Sequence, residues 1–233
     1  MSSTRVALRE AYERCSTMDA PLAERLAAYS GAVREHFPAY AKAVDDLVAR
    51  LRDSGAGENA PQPGSPMPPF VLPDEWGRLV ALEDLVRNGP AVITFHRGHW
   101  CPWCRMSLEA LSRTQHDIAR IGAQVAAIVP ETQKFARELK TRVQSPFQVL
   151  SDMDNGYALS LNLAIWIGSE LRELLSTYGL SLPEYQENDA WMLPIPATFI
   201  VGRDGAVKAR FIDADFRKRA AIEELIGALQ SAV

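Results

Sequence analysis

One short motif constrains this chain more than any other feature. Cys101 and Cys104 are separated by Pro102 and Trp103, and they follow shortly after the apolar run Ala91–Phe95. The run predicts a buried strand, and a proline directly after the first cysteine suits the first position of a helix. Side chains at i and i+3 of a helical turn lie on one face, so the two sulfurs can reach disulfide distance without backbone movement. The sequence therefore predicts a redox dithiol at a strand-to-helix junction.

The same junction favours Cys101 as the attacking thiol. A helix that begins just after it places Cys101 at the N-cap, where unpaired N–H groups and the helix dipole stabilise a thiolate. Three nearby side chains, Arg97, His99 and Arg105, add cationic or potentially cationic groups. We expect Cys104, inside the first turn, to be more buried and less acidic and to act as the resolving thiol.

A structural zinc site is the alternative use of a CxxC pair. The remaining cysteine, Cys15, and the histidines offer no second ligand pair at suitable spacing, so the sequence disfavours zinc. On a helix, Cys15 is expected to pack as a small hydrophobe rather than to resolve Cys101 across a dimer. His36, His96 and His116 are interpreted as structural or solvated. No metal, nucleotide or flavin cofactor is implied.

Composition limits the function classes. The chain has 233 residues, 47% of them hydrophobic, and a net charge of −4, which fits a globular protein with a sizeable core. Its mild acidity gives no basic surface for nucleic acid, and its apolar stretches are too short to span a membrane. The first residues lack the apolar core of a secretory signal, so we expect a cytoplasmic protein, whose dithiols are usually catalytic.

The chain divides at a segment rich in helix breakers. Residues 4–53 carry apolar positions at helical spacing among many charges, which predicts two or three amphipathic helices. Residues 54–66 are rich in Gly, Pro and Ser and read as a linker. We therefore predict a helical extension over residues 1–58 and a catalytic domain over residues 59–233. The extension either covers this domain or builds a homodimer, and its pattern fits both uses.

The catalytic part alternates strands and helices, which predicts an α/β domain with a mixed central sheet covered on both faces. The predicted strands are residues 70–72, 78–80, 91–95, 124–129, 147–150, 197–201 and 206–211, and the predicted helices are residues 81–86, a CxxC helix, 132–143, 157–178 and 217–229.

Three motifs carry a family resemblance: Pro69–Asp74 with the glycine at 77, the core Phe95–Cys104, and Leu193–Val201 before an Asp-Gly pair. With these, roughly residues 66–230 resemble the thioredoxin fold and, more closely, the peroxiredoxin-like AhpC/TSA family. The resemblance implies that Cys101 attacks a hydroperoxide, becomes a sulfenic acid and is resolved by a thiol. It also implies a thioredoxin- or glutaredoxin-type dithiol as reductant.

The chain departs from the family pattern at several positions. Typical members place Thr or Ser three residues before the attacking cysteine and Pro four residues earlier, where this chain has Gly98 and Thr94. Pro196 stands where related enzymes have an arginine that holds the peroxide, which leaves Arg97 or Arg210 to substitute. The pair Ile195–Pro196 instead resembles the cis-proline loop that thioredoxin-fold proteins hold against their CxxC.

Three functions therefore compete. A thiol peroxidase acting on hydroperoxides is the leading interpretation, because the wider framework resembles the peroxiredoxins. The CPWC motif also resembles glutaredoxin active sites and fits a disulfide oxidoreductase. The third hypothesis is a redox-sensing interaction module. Trp100 and Trp103 either shield the thiolate and dock a partner or serve packing alone, and His99 is either a base or a polar loop residue.

Overall fold

The N-terminal part of the molecule is helical. The computed structural model describes residues 3–232. Met1 and Ser2, which begin the predicted extension, and Val233, which ends the predicted catalytic domain, lie outside the described residues. The first elements are α1 (Ser3–Thr17), α2 (Leu22–His36) and α3 (Pro38–Asp53). They confirm the predicted helical extension, and each buries one apolar stripe. None of the helices within residues 3–232 has the length and apolar character needed to cross a membrane.

The rest of the described chain alternates strands and helices. Its elements are β1 (Val71–Pro73), β2 (Leu79–Ala81), α4 (Leu82–Val86), β3 (Ala91–Phe95), α5 (Pro102–Arg113), α6 (Gln115–Arg120), β4 (Gln124–Val129), α7 (Gln133–Arg142), β5 (Gln148–Ser151), α8 (Gly156–Ser160), β6 (Ala164–Trp166), α9 (Ser169–Thr177), α10 (Leu182–Gln186), β7 (Met192–Pro194), β8 (Ala197–Val201), β9 (Val207–Ile212) and α11 (Ile222–Gln230).

Five of these strands form a mixed sheet in the order β5-β4-β3-β8-β9. The strands β3, β4 and β5 run parallel, whereas β8 is antiparallel to both β3 and β9. Every residue of β3 is buried, and successive side chains enter cores on opposite faces: Ile93 and Phe95 enter one and Val92 the other. The sheet is therefore covered on both faces, as predicted, and the CxxC helix α5 follows its central strand.

Two predicted helices have different bounds in the structure. The predicted helix over residues 157–178 is interrupted by β6, which pairs with β7. Asn162 and Gly168, which flank this strand, have φ angles of 57° and 92° that an α-helix does not allow. The last helix begins at Ile222 rather than Arg217 because the side chain of Arg217 bonds to Asp215 and that of Arg219 to the Phe216 carbonyl oxygen, which holds the segment as a loop.

The predicted cis-proline loop is wrong. No cis peptide bond occurs between residues 3 and 232, so Pro196 follows Ile195 in the trans form. Pro194 is paired with Ala164 at the end of β7, and the Ile195 N–H donates to the Leu163 carbonyl oxygen. The chain thus runs from one extended strand directly into the next, β8, and the trans form is the ordinary one for such a bond.

Burial on α3 generates a stability prediction. Leu47 is 1% exposed, whereas Leu159 on α8 is 58% exposed. We expect Leu47→Ala to lower the free energy of unfolding by about 2–5 kcal/mol, because it removes buried methyl groups and leaves a cavity. Leu159→Ala is the matched control and should change it by less than about 0.5 kcal/mol. Urea denaturation measures both, and equal losses would contradict the described packing of α3.

Candidate active site

The two CxxC cysteines lie at the start of α5, just past the carboxyl end of β3. Cys101 is the N-cap residue, with extended backbone angles, and its Sγ accepts a hydrogen bond from the Cys104 N–H at 3.4 Å. The predicted N-cap position is therefore confirmed. Cys101 is 1% exposed and Cys104 is 0% exposed, so both cysteines are buried. The sequence predicts that Cys104 is the more buried of the two, but the observed difference is too small to distinguish them.

The Cys104 sulfur has more donors than the Cys101 sulfur. It accepts hydrogen bonds from the Arg97 backbone N–H and from Arg219 Nη2, both at 3.4 Å. Burial by itself would raise the pKa of Cys104, but hydrogen bonds from the Cys101 thiol and from His96, together with the positive charge of Arg219, hold this pKa well below its ordinary value. These contacts favour the charged form of Cys104 in the reduced pair.

Cys101 has the opposite pKa shift. Burial and the neighbouring Cys104 thiolate raise the pKa of Cys101 well above its ordinary value, and the charges of Arg97 and Arg219 offset this only in part. These directions oppose the expectation that Cys101 is the more acidic thiol of the reduced pair. The physical reason is that the helix N-terminus gives Cys101 one N–H donor, whereas tertiary packing brings the Arg97 N–H and the charged Arg219 side chain to the Cys104 sulfur.

Arg97 and Trp100 both lie at the dithiol, as predicted. The Arg97 guanidinium carbon is 3.7 Å from the ring centroid of Phe216 and 5.1 Å from that of Trp100. Arg97 is buried, and aromatic faces attract a cation that has left water. The Arg97 backbone N–H donates to the Cys104 sulfur, and the positive charge of its side chain acts on Cys101. Arg97 therefore contributes to the surroundings of both cysteines.

His99 binds a carboxylate rather than a sulfur. Its backbone N–H donates to Glu131 Oε2 at 2.8 Å, and its ring Nδ1 lies 2.7 Å from Glu131 Oε1. The ring stacks on Phe135 at 4.8 Å between centroids. Glu131 is fully buried, and burial raises its pKa despite the hydrogen bonds from His99. His99 therefore anchors the loop before Cys101 through Glu131.

The same carboxylate explains the glycine at position 98. Gly98 has a φ of 134°, and a Cβ built there would lie 2.4 Å from Glu131 Oε1. Such a distance is shorter than any real Cβ contact, so a side chain here would displace the carboxylate. Glu131 thus fills the space beside position 98, so glycine fits there and the Thr or Ser of the family pattern would not.

Other sequence candidates lie elsewhere. Arg210 Nη1 donates to the carbonyl oxygens of Gly57 and Ala60, which fixes the linker rather than a peroxide site. Arg105 packs over the Tyr12 ring at 4.0 Å. Pro196 is buried at the junction between β7 and β8. Within residues 3–232, no three His, Cys, Asp or Glu side chains group as a metal site would require.

Sequence reasoning missed three residues of the site: His96, Glu131 and Arg219. His96 is interpreted from sequence as structural or solvated, but its buried ring lies beside Cys104 and contacts Thr94 Oγ1 at 3.0 Å. Glu131 and Arg219 follow Cys104 by 27 and 115 positions, respectively. A charged residue directly after a predicted strand, as in Val129-Pro130-Glu131, is the one signal that could have found Glu131.

The helical extension closes over this site. The Trp103 indole Nε1–H donates to Ser30 Oγ on α2 at 2.9 Å, and its ring meets Tyr29 at 5.0 Å. The Tyr12 hydroxyl on α1 donates to Glu109 Oε1 on α5 at 2.6 Å. Because α1 and α2 both bond to α5, the extension is part of the surroundings of the dithiol.

Comparisons with known sequences agree on one family. A family model described as the AhpC/TSA family matches residues 63–210. A curated relative, the chloroplastic peroxiredoxin Q of Sedum lineare, is 29% identical over 92 residues, which is 40% of this chain and 49% of the relative. The chain therefore matches about half the length of that relative. The helices α1, α2 and α3 end at residue 53 and so lie outside the family match.

Comparisons with solved structures agree on the fold. Peroxidoxin BcpB from Mycobacterium tuberculosis has a TM-score of 0.58 at 17% identity, covering 74% of this chain and 99% of its own. A cysteine-to-serine mutant of peroxiredoxin 6 from Arenicola marina has a TM-score of 0.56 at 16% identity, with 73% and 72% covered. The bacterioferritin comigratory protein of Xanthomonas campestris scores 0.51 at 13% identity, with 70% and 90% covered. The predicted thioredoxin-like fold is confirmed.

The contact between Gly98 and Glu131 is testable by alanine substitution. Gly98→Ala adds a Cβ against a buried carboxylate, whereas Gly64, with a φ of 90°, has no atom within 4 Å of an added Cβ. Gly64→Ala should therefore lower the free energy of unfolding by about 1–2 kcal/mol, which is the cost of a Cβ at a positive φ angle without any clash. We expect Gly98→Ala to lose about 1–3 kcal/mol more, because the clash adds to the strain. Equal losses in chemical denaturation would exclude the clash.

The thiolate assignment is testable by pH titration. Cys101, His96, Arg97, Arg219 and Glu131 face the Cys104 sulfur or act on it electrostatically. Removing a cation disfavours the charged form, so Arg219→Met should raise the pKa of Cys104 by about one unit or more. The ultraviolet thiolate absorbance would then disappear at a higher pH as the solution is acidified.

The matched control for this titration is Lys218→Met. Lys218 is exposed on the same loop, and its Nζ lies 3.5 Å from Asp213 rather than near a sulfur. Its substitution should leave the titration unchanged, whereas Cys104→Ser should abolish the low-pH thiolate signal. A titration that follows Cys101→Ser instead would place the resting thiolate on the other sulfur.

Proposed function

Since this chain belongs to the AhpC/TSA family, we propose that it is a thiol peroxidase that reduces hydroperoxides at Cys101 and closes a disulfide with Cys104. The observation that carries this proposal is the buried dithiol at the N-terminus of α5, in which the Cys104 sulfur accepts hydrogen bonds from the Arg97 N–H and from Arg219. The names of its relatives support it: two are peroxiredoxins, and the Xanthomonas campestris protein is described by its alkyl peroxide reduction activity.

The first step uses the two sulfurs in different roles. As Cys101 attacks the terminal peroxide oxygen, its S–H proton passes to the Cys104 thiolate, which acts as the base. The O–O bond breaks, the leaving oxygen takes this proton from Cys104 and departs as an alcohol or water, and Cys101 becomes a sulfenic acid. The Arg97 guanidinium lies close enough to act electrostatically on Cys101 and stabilises the charge that develops there.

The second step forms the disulfide. Cys104, again a thiolate, attacks the Cys101 sulfenic acid and displaces its oxygen as hydroxide, which takes a proton from solvent to become water. The His96 ring, the Arg97 N–H and Arg219 then face the Cys104 sulfur as it changes from anion to neutral. A thioredoxin- or glutaredoxin-type dithiol, in the reducing cytoplasm that the sequence predicts, returns the pair to the thiol state by exchange.

Disulfide exchange with proteins is the second candidate, and the CPWC motif at the start of α5 supports it. Burial favours the peroxidase instead. Because Cys101 is only 1% exposed, a small peroxide needs a much smaller opening to reach its sulfur than a protein disulfide, which would require the surrounding loop to move. The extension that packs on α5 adds to this barrier.

Single-turnover kinetics test the two roles. Trp100 and Trp103 flank Cys101 and report its oxidation by stopped-flow fluorescence. We expect Cys101→Ser to abolish the fast reaction with hydrogen peroxide. Cys104→Ser should still form a sulfenic acid on Cys101, which dimedone traps, but about 100-fold more slowly or worse, because the base has been removed.

Three outcomes contradict parts of the proposal. If Cys104→Ser abolishes attack and Cys101→Ser keeps it, the two sulfurs have exchanged roles. If the wild-type protein reacts no faster than a free thiol, the peroxidase assignment is wrong and disulfide exchange takes its place. Equal loss in both variants would refute the division of labour between the two cysteines.

A further inference from the structure

A cavity of about 550 Å³ lies between the helical extension and the start of α5. Its volume is in the range of pockets that hold small organic ligands. Residues of α1, α2 and α3 form much of its wall, and these helices lie outside the family match over residues 63–210. The cavity is therefore a feature that this chain adds to the family fold.

The wall of the cavity is aromatic and aliphatic with a cationic bias. Leu8, Val33, Tyr29 and Trp103 supply apolar surface. Among the described residues that line it, four are arginines and one is a glutamate: Arg5, Arg9, Arg105, Arg142 and Glu13. An occupant that is apolar along its body and anionic at one end would match this wall.

We propose that this cavity binds amphipathic carboxylates, with the apolar body between the extension and α5 and the carboxylate near the arginines. Resting on the proposed function, it presents a carboxylate-bearing organic hydroperoxide to Cys101, which lies between the cavity residues Trp100 and Pro102. The hydroperoxide accepts two electrons from the dithiol and leaves as the alcohol, with one water and the Cys101–Cys104 disulfide as the other products.

Equilibrium binding tests the site without any reaction. Isothermal titration of the reduced wild-type protein with dodecanoate, below its micelle concentration, should show one saturable site. Dodecyltrimethylammonium, which has the same chain and the opposite charge, should not bind there. Val33→Trp, which fills the cavity from α2, should abolish dodecanoate binding.

Two variants on α1 form a matched pair that preserves the core. Arg9 and Arg14 are both exposed, and only Arg9 lines the cavity. Arg9→Glu should weaken dodecanoate binding roughly three- to tenfold, because it reverses a partly solvated charge. Arg14→Glu should leave it unchanged. Equal effects, or equal affinity for the cationic detergent, would overturn the proposal.

Kinetics separate this inference from the proposed function. The rate constant for a fatty-acid hydroperoxide divided by that for hydrogen peroxide should fall at least tenfold in Val33→Trp, with the hydrogen peroxide rate retained. An unchanged ratio, or absent dodecanoate binding in an active peroxidase, overturns the inference alone. Saturable dodecanoate binding in a protein that does not react with hydrogen peroxide overturns the proposed function and leaves the carboxylate site standing.

Discussion

The structure depends on keeping one buried thiolate satisfied. A sulfur anion removed from water is unstable unless donors and positive charge replace its hydration. The Cys104 sulfur obtains these from the Arg97 N–H and from Arg219. The two donors come from the segment after β3 and from the loop before α11, so the fold must bring these distant segments to the first turn of α5.

This requirement explains features that appear irregular by themselves. The chain between β9 and α11 is a loop because its arginines bond to Asp215, to the Phe216 carbonyl oxygen and to the Cys104 sulfur rather than continuing a helix. Phe216 covers the Arg97 guanidinium from the same loop. The site is thus enclosed by aromatic and cationic groups, and this low-polarity setting strengthens the charge–sulfur interactions.

The helical extension has a chemical role as well as a packing role. It bonds to α5 through Tyr12 and Trp103, and it forms one wall of a cavity whose other wall flanks Cys101. The two uses that the sequence left open, covering the domain and forming a homodimer, are compatible with each other. In the described chain the extension covers the domain and shields both sulfurs from solvent.

The sequence by itself determined the local features: the strand before the CxxC, the N-cap position of Cys101, the amphipathic extension and the family framework. Each depends on spacing or on residue type within a few positions. Only the tertiary structure decided which sulfur holds the charge, because Arg219 reaches Cys104 across 115 positions. The glycine at position 98 is likewise explained only by the tertiary structure, because Glu131 occupies the space that a side chain would need. Local pattern specifies backbone and exposure, whereas electrostatics inside a core depends on which remote groups the fold brings into contact.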